Sequence, residues 1–190
     1  MARQQREVPT PSLTTREGNI THDRRQAGSS ARDAGGPAHP NLRLGPEQIA
    51  LAQSLIDELS RVHSLAHCAL FLWDPAVGRL RLAAQHWGAG EDLGEVLVGA
   101  WTVGLHGVCG RAFTTATAVL VPDVEDDSSF LSFPGSRTRS ELAAPVVLDG
   151  NAIGVVNVES QRVRAYSPAD VATLTAWAES VGEALRPCYS

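Results

Sequence analysis

A thiol and an imidazole lie three positions apart in the stretch GLHGVCGRAF, residues 104–113. Cys109 and His106 are compatible with a nucleophile beside a base, with part of a metal site, or with a tight turn whose glycines serve the backbone. A closed metal site requires about four ligands, so these two residues alone predict no metal. A helix that begins near Val108 would lower the pKa of the Cys109 thiol if that thiol is exposed, whereas a buried cysteine acts as a small apolar side chain.

A second set of polar residues lies on two apolar strands. Side chains alternate along a strand, so Glu141 shares one face of ELAAPVVL with Ala143, Pro145 and Val147. By the same rule Asn157 and Glu159 share one face of IGVVNVE with Ile153 and Val155. The opposite, fully apolar face, which carries Leu142 and Val146, should pack against helices.

The mixed face of these strands is either an ordinary solvated surface or the floor of a pocket. Loop 125–139 favours a pocket, because Phe130, Leu131 and Phe133 need apolar surface to cover. Polar groups at strand ends on an otherwise apolar, covered face are typical of a small-ligand cavity. The candidate ligand-binding residues are Trp87, Trp101, His106, Cys109, Phe130, Arg139, Glu141, Asn157 and Glu159.

Two of these groups keep an alternative interpretation. The two tryptophans are placed at the cavity mouth, although a tryptophan at such a position is more often part of the core. Arg139 is either an anion clamp or the partner of a loop acid in a salt bridge.

The elements that must position these residues follow from periodicity. Apolar residues repeat at helical spacing behind Pro46 and behind the start sequence Ser167-Pro168-Ala169-Asp170, in which Ser167 is a candidate N-cap. An α+β fold is therefore predicted, with one antiparallel sheet of about six strands, terminal helices on one face and a cavity under loops on the other. The expected helices are 46–65 and 168–185, and the expected strands are 68–74, 79–87, 101–103, 118–124 and the hairpin 141–160.

Composition limits the partners. Residues 1–44 contain seven Arg and four acids, and residues 45–190 contain nine Arg and 17 acids, so a basic tail precedes an acidic domain. The tail is expected to be disordered unless a partner orders it. The acidic domain argues against nucleic-acid binding, and no apolar run is long enough to span a membrane. Three irregularly spaced cysteines and no apolar leader predict a cytoplasmic protein.

Several spaced motifs resemble the GAF domain family. They are the glycine-rich turn 104–113, the strand 118–124 that ends in Asp-Val, the Ser-Glu-Leu motif at 140–145, the strand 153–156 and the closing helix after Ser167. The resemblance covers about residues 46–186. It implies a six-stranded sheet, a ligand cavity on one face and homodimerisation through helices 46–65 and 168–185.

The resemblance leaves the function open, because one fold hosts many functions. The enzymatic branch, free methionine-R-sulfoxide reductase, shares a cysteine at the position of Cys109, but its attacking cysteine would fall within 124–140, which contains none. The chain lacks the lysine of the cyclic-nucleotide branch. A bilin or haem branch would use a histidine, but His67, His86 and His106 are only weak indications of either. The Ser-Glu-Leu and Asn157 motifs most resemble sensory modules.

The sequence therefore predicts a non-catalytic GAF module that binds an unknown small molecule and signals through dimerisation or a partner such as a kinase or regulator. No cofactor is predicted. One alternative is a divergent reductase or a thiol-redox enzyme or sensor that uses Cys109. A second is an interaction protein whose cavity has collapsed.

Overall fold

The computed structural model describes residues 45–63, 65, 67–88, 98–99, 101–132 and 136–189. The expectations for the tail 1–44 and for Phe133 lie outside these residues. The helices are α1 (Pro46–His63), α2 (Gly107–Thr115) and α3 (Pro168–Leu185), and the strands are β1 (His67–Asp74), β2 (Arg79–Trp87), β3 (Thr102–Val103), β4 (Val119–Val121), β5 (Ser140–Leu148) and β6 (Asn151–Ser160).

The six strands form one sheet in the order β3-β2-β1-β6-β5-β4, and every neighbouring pair is antiparallel. The predicted α+β fold with about six strands is confirmed. The two hairpins, β1-β2 and β5-β6, meet where β1 pairs with β6, so the centre of the sheet joins segments far apart in sequence.

The terminal helices α1 and α3 cover the same face of the sheet, as expected. Their core-facing side chains join Leu142, Val146 and other apolar residues of the strands in one buried cluster, and each fully buried Leu, Ile or Val contributes about 1.5–3 kcal/mol. The predicted start of α3 is confirmed by a capping box, in which the Ser167 hydroxyl accepts from the Asp170 amide and the Asp170 carboxylate accepts from the Ser167 amide. Val62, whose spacing continues the apolar repeat of α1, was expected in the same stripe but is 55% exposed.

The opposite face of the sheet carries a helix as well as loops, which the sequence-based layout did not place there. Val108, Ala112 and Phe113 of α2 pack with Phe71 and Val155 in a second buried cluster. Helix α2 contacts β5 and β6, the strands that carry the acidic candidates. This helix therefore positions residues of the glycine-rich turn above the sheet.

A β-bulge changes the predicted alternation in β6. The β5–β6 register shifts between Val146 and Val147, so Val146 pairs with Gly154 while Val147 pairs with Ala152. The extra residue, Ile153, turns into the helix-side cluster, whereas Val155 lies on the other face as predicted. The grouping of Ile153 with Asn157 was therefore wrong, because a bulge inverts the facing of residues beyond it.

Candidate functional site

One row of side chains crosses four strands on the face that carries α2. Glu141 of β5 pairs with Glu159 of β6, Glu159 pairs with His67 of β1, and His67 pairs with Trp87 of β2. Residues directly opposite on antiparallel strands have neighbouring side chains on the same face. The register therefore assembles two carboxylates, an imidazole and an indole from four segments distant in sequence.

The next rows change from polar to apolar. The second row consists of Ala143, Asn157, Ala69 and Gln85, and the third contains Val155, Phe71 and Leu82. The two alanines are short, so they leave space above the sheet between the polar row and the apolar row. The floor therefore has an acidic end and an apolar end.

Asn157 connects the two carboxylates. Its Nδ2 donates to Oε1 of Glu141 at 3.2 Å and to Oε1 of Glu159 at 3.0 Å. Because both neighbours accept, the amide is oriented with its oxygen away from them. Asn157 is only 3% exposed, and its Oδ1 has no hydrogen-bond partner among the described residues. A buried acceptor without a partner is uncommon in folded proteins.

Glu159 is held by further contacts. Nδ1 of His67 lies 3.2 Å from Oε2 of Glu159, and the Thr138 hydroxyl donates to the same oxygen. The ring of His67 stacks on Trp87 with a centroid distance of 3.4 Å. Stacking fixes the imidazole plane, and neither ring nitrogen is in good hydrogen-bond geometry within the described structure.

The two carboxylates differ in their electrostatics. Burial, together with the adjacent charge of Glu159, raises the pKa of Glu141 to about 8. Burial also opposes ionisation of Glu159, but the favourable contacts of His67, Thr138 and Asn157 outweigh it, so the pKa of Glu159 is lowered. The site thus contains an ionised acid beside an acid that is mostly protonated at neutral pH.

Cys109 faces this cluster. Its thiol donates to Oε1 of Glu141 at 3.4 Å, and the side chain is half-buried. Burial, followed by the charges of Glu141 and Glu159, raises the pKa of the Cys109 thiol, whereas the position near the start of α2 predicted a lowered pKa for an exposed thiol. The acids and the burial outweigh the helix terminus.

The other two cysteines lie across the sheet from Cys109. Cys68 belongs to the helix-side cluster and Cys188 packs against it, while Cys109 packs against the cluster under α2. Within the described residues, therefore, no second thiol shares the cavity with Cys109.

The glycines of the turn have different roles. Gly107 has φ of +86°, a conformation that favours glycine. At Gly110 an added Cβ would lie 2.2 Å from the carbonyl carbon of Leu105, so helix and turn approach too closely for any side chain. At Gly104 an added Cβ would contact nothing within 4 Å. The backbone requirement expected for all three thus applies to Gly107 and Gly110, and Gly104 instead faces open space.

These elements enclose a cavity of about 240 Å³. It is smaller than the roughly 300–1,000 Å³ typical of pockets for drug-sized ligands. Of the predicted ligand-binding residues, the cavity is lined by Trp87, Trp101, His106, Cys109, Glu141, Asn157 and Glu159.

Two predicted residues lie outside the lining. Phe130 packs against the cluster under α2. Arg139 donates to Asp123 at 3.0 Å and lies 3.3 Å from Glu125, which matches the salt-bridge alternative. Asp123 and Glu125 flank the start of the short 3₁₀ helix Val124–Asp126, so Arg139 ties this turn to the start of β5.

The list of candidate ligand-binding residues omitted several residues of the lining. His67, Phe71, Arg79, Gln85 and Leu131 line the cavity. The strand HCALFLWD is apolar on both faces, so alternation alone did not show which face His67 shares with the acids. Its register with Glu159 is a property of the folded sheet. No group of three acidic, histidine or cysteine residues in the described part of the chain is placed to hold a metal ion.

Residues 48–186 match the family model of the GAF domain. The chain belongs to the GAF domain family. The match runs from the third residue of α1 to just past the end of α3 and includes all six strands. No helix among the described residues is long and apolar enough to cross a membrane.

Similar GAF proteins include both signalling proteins and enzymes. GAF domain-containing protein A of Dictyostelium discoideum is 36% identical over 75 residues, which are 37% of this chain and 44% of that protein. This chain thus matches less than half the length of that relative.

Two solved structures show the fold similarity. The substrate complex of free methionine-R-sulfoxide reductase from Neisseria meningitidis has a TM-score of 0.64 at 20% identity, covering 77% of this chain and 81% of that one. The GAF domain of an Acinetobacter phosphoenolpyruvate-protein phosphotransferase has a TM-score of 0.62 at 18% identity, covering 74% and 82%. At these identities the similarity establishes the fold alone.

Proposed function

We propose that this GAF domain is a sensory or regulatory module that binds a small molecule in the cavity and performs no chemistry on it. The observation that carries the proposal is Asn157, which lines the cavity and whose buried Oδ1 has no partner among the described residues. Leaving such a group unpaired costs about 1–3 kcal/mol. A ligand with a hydrogen-bond donor would recover that cost, so the arrangement favours occupancy over a collapsed cavity.

The contacts of Cys109 favour binding over thiol chemistry. A reductase of the similar branch exchanges disulfides between two thiols, and the other two cysteines pack on the helix side of the sheet. The raised pKa of Cys109 also lowers the thiolate fraction that an attack requires. Turnover by Cys109 would therefore need an external thiol and a change in its surroundings.

The signal is proposed to leave through the terminal helices. Both α1 and α3 pack on the face opposite the cavity, where dimerisation would place two copies back to back, and a kinase or regulator is the proposed partner. The three cysteines are free, which is in keeping with the proposed cytoplasmic location.

Filling the cavity tests the binding function. Gly104→Leu places a side chain into the open space beside Gly104, so we expect it to abolish ligand binding while the protein stays folded. Ala169→Leu, at an exposed position of α3, is the matched control that adds the same bulk away from the cavity.

Native mass spectrometry of the purified protein, followed by thermal-shift screening of metabolites, would identify the ligand and measure the two variants. A stabilising compound that loses its effect only in Gly104→Leu supports the proposal. If no compound co-purifies and none raises the melting temperature of the wild type, the binding function is wrong. Consumption of NADPH with thioredoxin, thioredoxin reductase and free methionine sulfoxide, lost in Cys109→Ser, would establish the reductase instead.

A further inference from the structure

We propose that the ligand is a small protonated amine with an apolar body and without a carboxylate on the carbon that bears the amino group. The inference rests on the proposed binding function and names the ligand class for the same cavity. It follows from three features of the lining: the acids and the unpaired oxygen of Asn157 at one end, the placement of the arginines, and the apolar rows beside the acids.

The acidic end of the cavity offers acceptors. Oδ1 of Asn157 is buried and has no partner among the described residues, and the hydrogen bonds that Glu141 receives from Cys109 and Asn157 both go to its Oε1. Glu159 adds a negative charge beside them. A primary ammonium has three N–H donors and one positive charge. It therefore matches the unpaired oxygen of Asn157 and the negative charge of Glu159, whereas an anion would lie beside that charge.

The arginines near the cavity are not positioned to bind a carboxylate that lies next to the ammonium of the proposed ligand. Arg111 is close enough to Glu141 to influence its ionisation, but it is paired with Asp127 and is absent from the cavity lining. The lining contains Arg79, which is exposed. Arg79 and Trp87 are the two ends of β2, so at about 3.3 Å per residue they are separated by roughly 25 Å.

An α-amino acid holds its carboxylate one carbon away from its ammonium. That carboxylate would lie beside Glu141 and Glu159, whereas Arg79 belongs to the opposite end of β2 from Trp87. His67 is already placed against Glu159. The uncompensated like charges in a buried site would disfavour the amino acid relative to the corresponding amine.

The remaining lining fits an apolar body. Beyond the acidic row the sheet contributes the apolar side chains of Phe71 and Leu82. Val108 and Leu131 line the cavity from the side of the turn and the loop. The cavity volume of about 240 Å³ limits this body to one ring or a short branched chain.

Three matched probes test the proposal on the wild-type protein by titration calorimetry at pH 8. They are 2-phenylethylamine, L-phenylalanine, which adds the carboxylate, and 2-phenylethanol, which removes the charge. We expect the amine to bind at least about tenfold more tightly than either other probe, equivalent to about 1.4 kcal/mol. Equal or tighter binding of L-phenylalanine or of the alcohol would overturn the proposal.

A variant pair locates the interaction. Glu141→Gln keeps the shape of the side chain and removes its charge, so we expect at least about tenfold weaker amine binding. Glu58→Gln removes an exposed acid of α1 and should leave the affinity unchanged. Equal affinities in the two variants would show that the amine does not use Glu141. If Glu141→Gln fails to fold, the wild-type comparison of the three probes still decides the proposal.

The pH dependence gives a readout that hydrophobic binding alone would not produce. Binding of the ammonium ionises Glu141 and releases its proton to solvent, so amine affinity should rise from pH 6.5 to 8.5. The charged and titratable groups around Glu141 are Glu159, Cys109, Arg111 and Tyr166, and His67 lies against Glu159. An affinity independent of pH in this range would contradict the ammonium–Glu141 contact.

The outcomes separate this inference from the function on which it rests. If a neutral or anionic metabolite stabilises the protein through the cavity and the amines do not, the ligand class is wrong and the sensory function stands. If neither the amines nor a metabolite panel binds, both proposals are wrong.

Discussion

The Cys109 thiol is surrounded by groups that keep it protonated. Burial and the charges of Glu141 and Glu159 all raise its pKa, and a thiol reacts as its thiolate. We therefore expect slow alkylation of Cys109 by iodoacetamide at pH 8. Glu141→Gln removes one of the charges and should accelerate the reaction, as measured by mass spectrometry of the Cys109 peptide.

Glu125→Gln is the control for this experiment, because Glu125 is exposed and paired with Arg139 outside the cavity. Rapid alkylation of the wild type, at the rate of an unperturbed cysteine, would contradict the assigned environment. It would also revive the thiol-redox alternative.

Glu141 should make the stability of the protein depend on pH. Its folded pKa of about 8 lies above the ordinary value of 4.5, so the folded state holds this proton more tightly than the unfolded state. The contribution is complete below pH 4.5 and is lost as the pH rises through 8, each pKa unit being worth about 1.4 kcal/mol. Glu159, with a lowered pKa, acts in the opposite sense at acid pH.

Urea unfolding of the wild type and Glu141→Gln between pH 5 and 9 would measure this effect. The free energy of unfolding of the wild type should fall relative to the variant over that range. A constant difference between the two proteins would mean that Glu141 titrates normally.

Among the elements, the junction of the glycine-rich turn with α2 has the strictest steric requirement. Gly110→Ala would place Cβ against the backbone of Leu105, which costs about 1–3 kcal/mol of stability if the turn shifts. Gly104→Ala, six residues earlier, contacts nothing and should change stability by less than about 0.5 kcal/mol. Chemical denaturation measures the free energy of unfolding of both variants. Equal stabilities would contradict the close approach of Gly110 to the backbone of Leu105.

The elements also show what the sequence could reveal. Helix α3 was placed correctly because its cap residues and its apolar repeat agree. The predicted hairpin 141–160 is present, and its turn contains Asp149 and Gly150, which both have positive φ, a conformation that Asp-Gly readily adopts. The predicted face of the Ile153 side chain was wrong, because a β-bulge interrupts the alternation of side chains along β6. His67 was missed as a site residue because its contacts depend on the register of β1 with β6.

At the scale of the whole molecule, the same sheet separates two tasks. One face of the sheet buries the polar row under α2, and the other face packs against the terminal helices. Strands β5 and β6 contact both α2 and α3, so they physically connect Glu141 to α3. In the proposed sensory function, these strands would connect the ligand to the output. The proposed dimer through the helices would make use of it.

The exposed Val62 offers a test of that dimer. It lies in the last turn of α1 and is 55% exposed in the single chain, although its position continues the apolar stripe of the helix, so a second copy is the expected cover. Light scattering after size exclusion should give twice the chain mass for the wild type, and Val62→Asp should shift the protein toward the monomer. Val77→Asp, an equally exposed valine in the β1–β2 turn at 51%, should leave the mass unchanged. A wild type that elutes as a monomer at micromolar concentration would show that the helices do not form the interface, and the output would then have to pass through a partner protein.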